Sequence, residues 1–68
     1  MEAKNIKVGE YYKNKFVQNG WLKVKEIIKP CDNIFGKQSL IRVDWFYNDK
    51  KTIFETNTMF PPQVIMKV

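Results

Sequence analysis

The chain contains no histidine and one cysteine, Cys31. Without imidazole it lacks the side chain most often used as a general base and as a nitrogen ligand to transition metals. A structural zinc site needs four Cys or His ligands and is excluded, as are the nucleophile–base pairs that depend on histidine. A lone cysteine forms no intrachain disulfide, which fits a reducing compartment. Arginine is almost absent too: Arg42 stands beside eleven lysines. Alanine and glycine are sparse while Lys, Asn, Ile, Phe and Tyr are frequent, a bias that suits an AT-rich genome. No apolar run approaches the roughly 20 residues of a membrane span. The opening Met1 to Lys7 has no apolar core of the kind that marks a secretory signal. The expectation is a soluble, cytoplasmic protein with no membrane association, no cofactor and no metal.

What is present is a small basic chain. Its 68 residues make one domain, with residues 1–5 expected to fray. A chain of this size buries only roughly 60% of the surface its unfolded form exposes, so its stability should be a few kcal/mol. The formal charge is +5. A basic small domain points to nucleic acid or to an acidic protein surface, although lysine also simply keeps small domains soluble.

The clearest pattern is Gly20 to Ile28. Leu22, Val24 and Ile28 fall on one side, and Trp21, Lys23, Lys25 and Ile27 on the other. A period of two with aromatic and β-branched residues marks a half-buried strand. Pro30 should end it, and Cys31 to Gln38 should be a loop in which Cys31 is a packing residue. Ser39 to Tyr47 alternates likewise, with Ile41, Val43, Trp45 and Tyr47 opposite Leu40, Arg42, Asp44 and Phe46. Asn48-Asp49 predicts a tight primed hairpin turn into a returning strand over Lys50 to Thr56. Upstream, Ile6, Val8, Tyr11 and Tyr12 form a first strand, with Gly9 supplying a bulge or a positive φ. Phe16 and Val17 are expected to tuck under the loop that follows. Asn57 or Thr58 should start a turn, and Pro61-Pro62 should set a 3-10 turn over Pro61 to Val64. Val64 to Val68 makes a last short strand. The predicted core is Val24, Ile28, Ile41, Val43, Trp45, Phe54 and Val64, and no stretch has helical periodicity.

The order of elements resembles an SH3-like small barrel, the architecture shared by SH3, Tudor and KOW domains. Val8-Gly9-Glu10, Gly20 through Ile28, Leu40 through Tyr47, and Phe60 through Ile65 carry the resemblance. It implies an all-β fold: a single five-stranded barrel with a 3-10 turn before the last strand. In size and composition the chain is similar to small phage or mobile-element accessory proteins, which often bind and block a host factor.

The candidate site is the outward face of the two strong strands, where alternation places Trp21, Lys23, Lys25, Arg42 and Phe46 together. Ammonium groups bind phosphates, and flat rings stack on unpaired bases. The expected function is non-enzymatic binding of nucleic acid, single strands included, with low sequence specificity. One arginine offers little capacity for bidentate guanine reading. The alternative is a protein–protein interaction module or inhibitor, with Trp21 as its anchor. Polyproline recognition lacks its acidic loop, and an aromatic cage of Tyr12, Trp45 and Tyr47 competes with the use of Trp45 and Tyr47 as core. Asp44, Glu26 and Glu55 read as partners for neighbouring lysines.

Overall fold

The computed structural model describes residues 1–33 and 36–68, with side chains described for 1–30 and 36–68. The fold is all-β. Its strands are β1 (Tyr11–Asn14), β2 (Trp21–Asn33), β3 (Gly36–Phe46), β4 (Ile53–Phe60) and β5 (Ile65–Met66). They form one antiparallel sheet in the order β4-β3-β2-β1-β5. A 3-10 turn over Pro62–Val64 precedes β5. The two edge strands, β4 and β5, are not paired with each other, so the described sheet is open.

The core lies on one face, where alternate residues of β1, β2 and β3 point inward. Tyr12, Leu22, Val24, Ile41 and Val43 are buried there with Ile6 and Ile65, and Met1, Ile27, Trp45 and Phe60 pack against them. Tyr12 is held by its hydroxyl, which accepts from the Lys7 N–H at 2.9 Å and donates to Glu10 at 3.4 Å. Residues 1–5 contribute a 3-10 turn over Ala3–Asn5, and the Met1 ammonium donates to the carbonyls of Pro62 and Ile65.

Bulges account for most departures from simple alternation. In β2, Val24 faces Val43 and Glu26 faces Arg42, so Lys25 is an extra residue. One extra residue reverses the parity of everything after it. Ile27, not the predicted Ile28, therefore packs on the core, and Ile28 is only half-buried. A second irregularity sets Lys29 and Pro30 against Ser39. Pro30 has no N–H to donate, and a bulge asks for none. Consequently β2 runs through Pro30 instead of ending there. The predicted loop from Cys31 to Gln38 is mostly paired strand, although Ile34 and Phe35 lie outside the described residues. The packing role expected of the Cys31 side chain also lies outside them.

β4 is bulged twice. Glu55 faces Trp45 and Thr58 faces Val43, so Thr56 and Asn57 together oppose Asp44. Asn57 takes φ +56°, and the predicted turn there is a left-handed bulge inside the strand. Ile53 faces Phe46, which leaves Phe54 as the other extra residue. Phe54 is 57% exposed and not core, because it lies on the edge strand β4 and only the rings of Trp45 and Tyr47 flank it. Phe16, 81% exposed, and Val17 also stand in solvent instead of tucking under their loop. The first strand begins only at Tyr11. Gly9 does take the positive φ expected of it, at +92°, and donates to the Val24 carbonyl.

The β3–β4 connection is longer than a two-residue hairpin. Lys50 N–H bonds the Tyr47 carbonyl and Tyr47 N–H bonds Thr52, while the positive φ falls on Lys50, at +59°. Asn48 and Asp49 are not left-handed, so the turn is not primed. Asp49 instead caps it, accepting from the N–H groups of Lys51 and Thr52 and from the Thr52 hydroxyl.

Candidate functional site: a lysine-ringed aromatic face

On the face opposite the core, Trp21 of β2 sits directly across from Phe46 of β3, and Tyr11 of β1 directly across from Lys23. The backbone register thus brings three rings from three strands together. Tyr11 meets Trp21 edge-on with centroids 6.5 Å apart, and meets Phe46 at 5.8 Å. Such edge-to-face contacts add to simple area burial and hold each ring at a fixed angle.

Ammonium groups surround the rings. Lys13 Nζ lies 3.9 Å from the Trp21 ring centroid and Lys50 Nζ 4.0 Å from it. Lys50 is also 5.0 Å from Tyr11, and Lys23 is 5.8 Å from Tyr11. These are cation–π distances. Lys13 is further fixed by donating to the carbonyls of Gly20 at 2.7 Å and Gln18 at 3.2 Å. Lys50 reaches the cluster from the β3–β4 turn, where it takes φ +59°.

The predicted site residues divide into two groups. Trp21, Lys23 and Phe46 join this cluster. Lys25 and Arg42 lie on the same sheet but are engaged elsewhere. Lys25 pairs with Asp44 at 3.5 Å and donates to Asn57 at 2.8 Å, and Arg42 pairs with Glu26 at 3.1 Å. Of the three carboxylates expected to partner neighbouring lysines, Asp44 does so with Lys25, whereas Glu26 pairs with Arg42 and Glu55 has no ion pair among the described residues. The lysines of the ring cluster have no carboxylate partner among the described residues.

Asp44 is the structural hub beside the cluster. Burial raises its pKa, but the Thr56 hydroxyl at 2.6 Å, the Asn57 N–H at 3.3 Å and Lys25 outweigh that effect. They hold the carboxyl below its ordinary value.

Alternation missed Tyr11 and Lys50, while Lys13, legible in the sequence as a loop cation beside the face, joins the cluster from β1. Tyr11 was legible as the residue preceding buried Tyr12, and hence facing outward. Lys50 was not, since its approach depends on the turn.

Next to this face is a groove of about 220 Å³, lined by Val17, Trp45, Phe46, Tyr47, Asn48 and Phe54, among others. Phe46 belongs to both. Phe54 packs edge-on against Trp45 and Tyr47, each at 5.6 Å. No helix among the described residues is long and apolar enough to cross a membrane.

Neither known protein families, nor curated proteins, nor solved structures include a match to this chain.

Proposed function

We propose that the chain is a small non-enzymatic binding domain whose outer face contacts nucleic acid with low sequence specificity. The observation that carries the reading is the cluster of Tyr11, Trp21 and Phe46, with Lys13, Lys23 and Lys50 held 3.9–5.8 Å from its rings. Ammonium groups that no carboxylate neutralises supply phosphate contacts, and the rings between them supply stacking surface. The net charge of +5 favours a polyanion from a distance. Arg42, the chain's one guanidinium, is paired through Nε with Glu26, so there is little capacity for bidentate guanine reading.

The strand order β4-β3-β2-β1-β5, with a 3-10 turn before β5, supports reading the open sheet as a variant of the SH3-like barrel. The bulges in β2 and β4 supply the curvature such a barrel requires. An acidic protein surface is the second reading. It is favoured by the large apolar side chains left in solvent, including Phe16, Ile53 and Met59.

The test is fluorescence anisotropy of a labelled single strand titrated with wild type and Trp21→Ala at low salt. Loss of a stacking ring should cost about 1–3 kcal/mol of binding. No binding by wild type at low salt would eliminate the nucleic-acid reading and leave the acidic protein surface.

A further inference from the structure

The groove beside the lysine-ringed face exposes aromatic rings that a folded domain would otherwise bury. Tyr47 is 52% and Phe54 57% exposed, although both rings are ordered against a neighbour at 5.6 Å. At about 220 Å³ the groove is smaller than the roughly 300–1,000 Å³ of pockets that enclose drug-sized ligands. It has room for one planar ring system.

Its polar wall is oriented. Asn48 Oδ1 accepts the Gly20 N–H at 2.8 Å, so the amide NH₂ is the end left to donate. Trp45 Nε1–H is already spent on the Asn19 carbonyl at 3.3 Å, so the indole offers only its surface. Four aromatic residues, Trp45, Phe46, Tyr47 and Phe54, line the space with Asn19 and Asn48 and no carboxylate, and Lys50 and Lys51 follow Asn48 in the same turn. Phe46 both lines the groove and packs against Tyr11 of the ring cluster, and Lys50, in the turn beside the groove, places its ammonium 4.0 Å from Trp21.

We infer that this groove holds one unpaired nucleobase of a single-stranded nucleic acid, while the adjoining phosphates lie on Lys13, Lys23 and Lys50. The inference rests on the nucleic-acid reading above and narrows it to single strands. A duplex keeps its bases stacked and presents only phosphates to the lysines, so the groove discriminates between the two.

The experiment compares a fluorescein-labelled oligothymidylate with a hairpin duplex, by anisotropy, for wild type, Phe54→Ala and Tyr47→Ala. Both side chains are half-exposed, so both variants retain the core. Each should bind the single strand roughly 5- to 150-fold more weakly, the loss of one stacked base, with duplex affinity changed less than about twofold. In Trp21→Phe, Trp45 is the sole indole and a direct reporter of the groove, so its emission should be quenched as the oligothymidylate binds. Equal losses on single strand and duplex, or unchanged Trp45 emission during measured binding, overturn the inference and leave the outer-face reading intact. Absence of wild-type binding to either probe overturns both.

Discussion

Replacing Gly20 by alanine puts a methyl group where the chain leaves no room for one. Gly20 has φ +85°, and a Cβ there would collide with the Phe46 carbonyl oxygen and stand 3.0 Å from Trp45 Nε1. The first obstacle is backbone of a central strand, which cannot swing aside as a side chain would. Two costs combine. An L-residue in the left-handed region costs roughly 1–2 kcal/mol, and forcing an extra methyl into a filled site typically costs about 1–3 kcal/mol. The expected loss is about 2–5 kcal/mol. A 68-residue domain has about 3–10 kcal/mol in all. At about 4–8 °C per kcal/mol for domains of this size, the melting temperature should fall by at least about 8 °C. Gly9 isolates the two contributions. It has φ +92° but nothing within 4 Å of an added Cβ, so Gly9→Ala carries the conformational cost alone, about 1–2 kcal/mol. Thermal and urea melts followed by circular dichroism measure both variants. A Gly20→Ala loss no larger than that of Gly9→Ala would refute the steric reasoning.

Val43 is fully buried at the centre of β3, and Val43→Ala should cost about 1–3 kcal/mol by urea denaturation. Asp44 has a folded-state pKa below its ordinary 3.8, so the unfolded chain takes up the proton first. The stability it confers is complete above the unfolded pKa and is lost as pH falls through the lower folded value. Between about pH 5 and pH 2, Asp44→Asn should therefore lose less melting temperature than wild type does. An equal loss would mean that the hydrogen bonds from Thr56 and Asn57 do not favour the carboxylate. Among the lysines, Lys23→Ala should lower the salt dependence of nucleic-acid binding by about one phosphate contact. Lys25→Ala should lower it less, because Lys25 is already paired with Asp44; equal effects would place Lys25 in the binding face.

The sequence was most informative where alternation ran undisturbed. Leu22, Val24, Ile41 and Val43 are buried as their period requires, and Trp21, Lys23 and Phe46 face outward together. It failed at residues whose effect is to break the period. An extra Lys25 exchanges Ile27 for Ile28 on the core side, and nothing about a lysine in a strand announces a bulge. Pro30 looks like a terminator until it is placed at the second bulge, where its missing N–H has no consequence. Phe54 reads as core by composition, yet its environment is set by the open edge of the sheet, which depends on pairing between distant strands. The turn was located correctly but given the wrong geometry. Asp49 uses its carboxylate to cap the turn, which moves the positive φ to Lys50 and brings that ammonium to 4.0 Å from Trp21. The site was thus legible as a face and a chemistry. Which cations are free to serve it became evident only from the ion pairs of Lys25 and Arg42.

The central claim is that lysines around an aromatic cluster, neutralised by no carboxylate, bind phosphates, and the salt dependence of wild-type affinity for a single strand addresses it most directly. Measured between about 50 and 200 mM salt, log affinity should fall linearly with log salt, with a slope of roughly −2 for three lysine contacts at about 0.7 each. Affinity independent of salt across that range would contradict the account, because no face that works through phosphates can escape counterion competition.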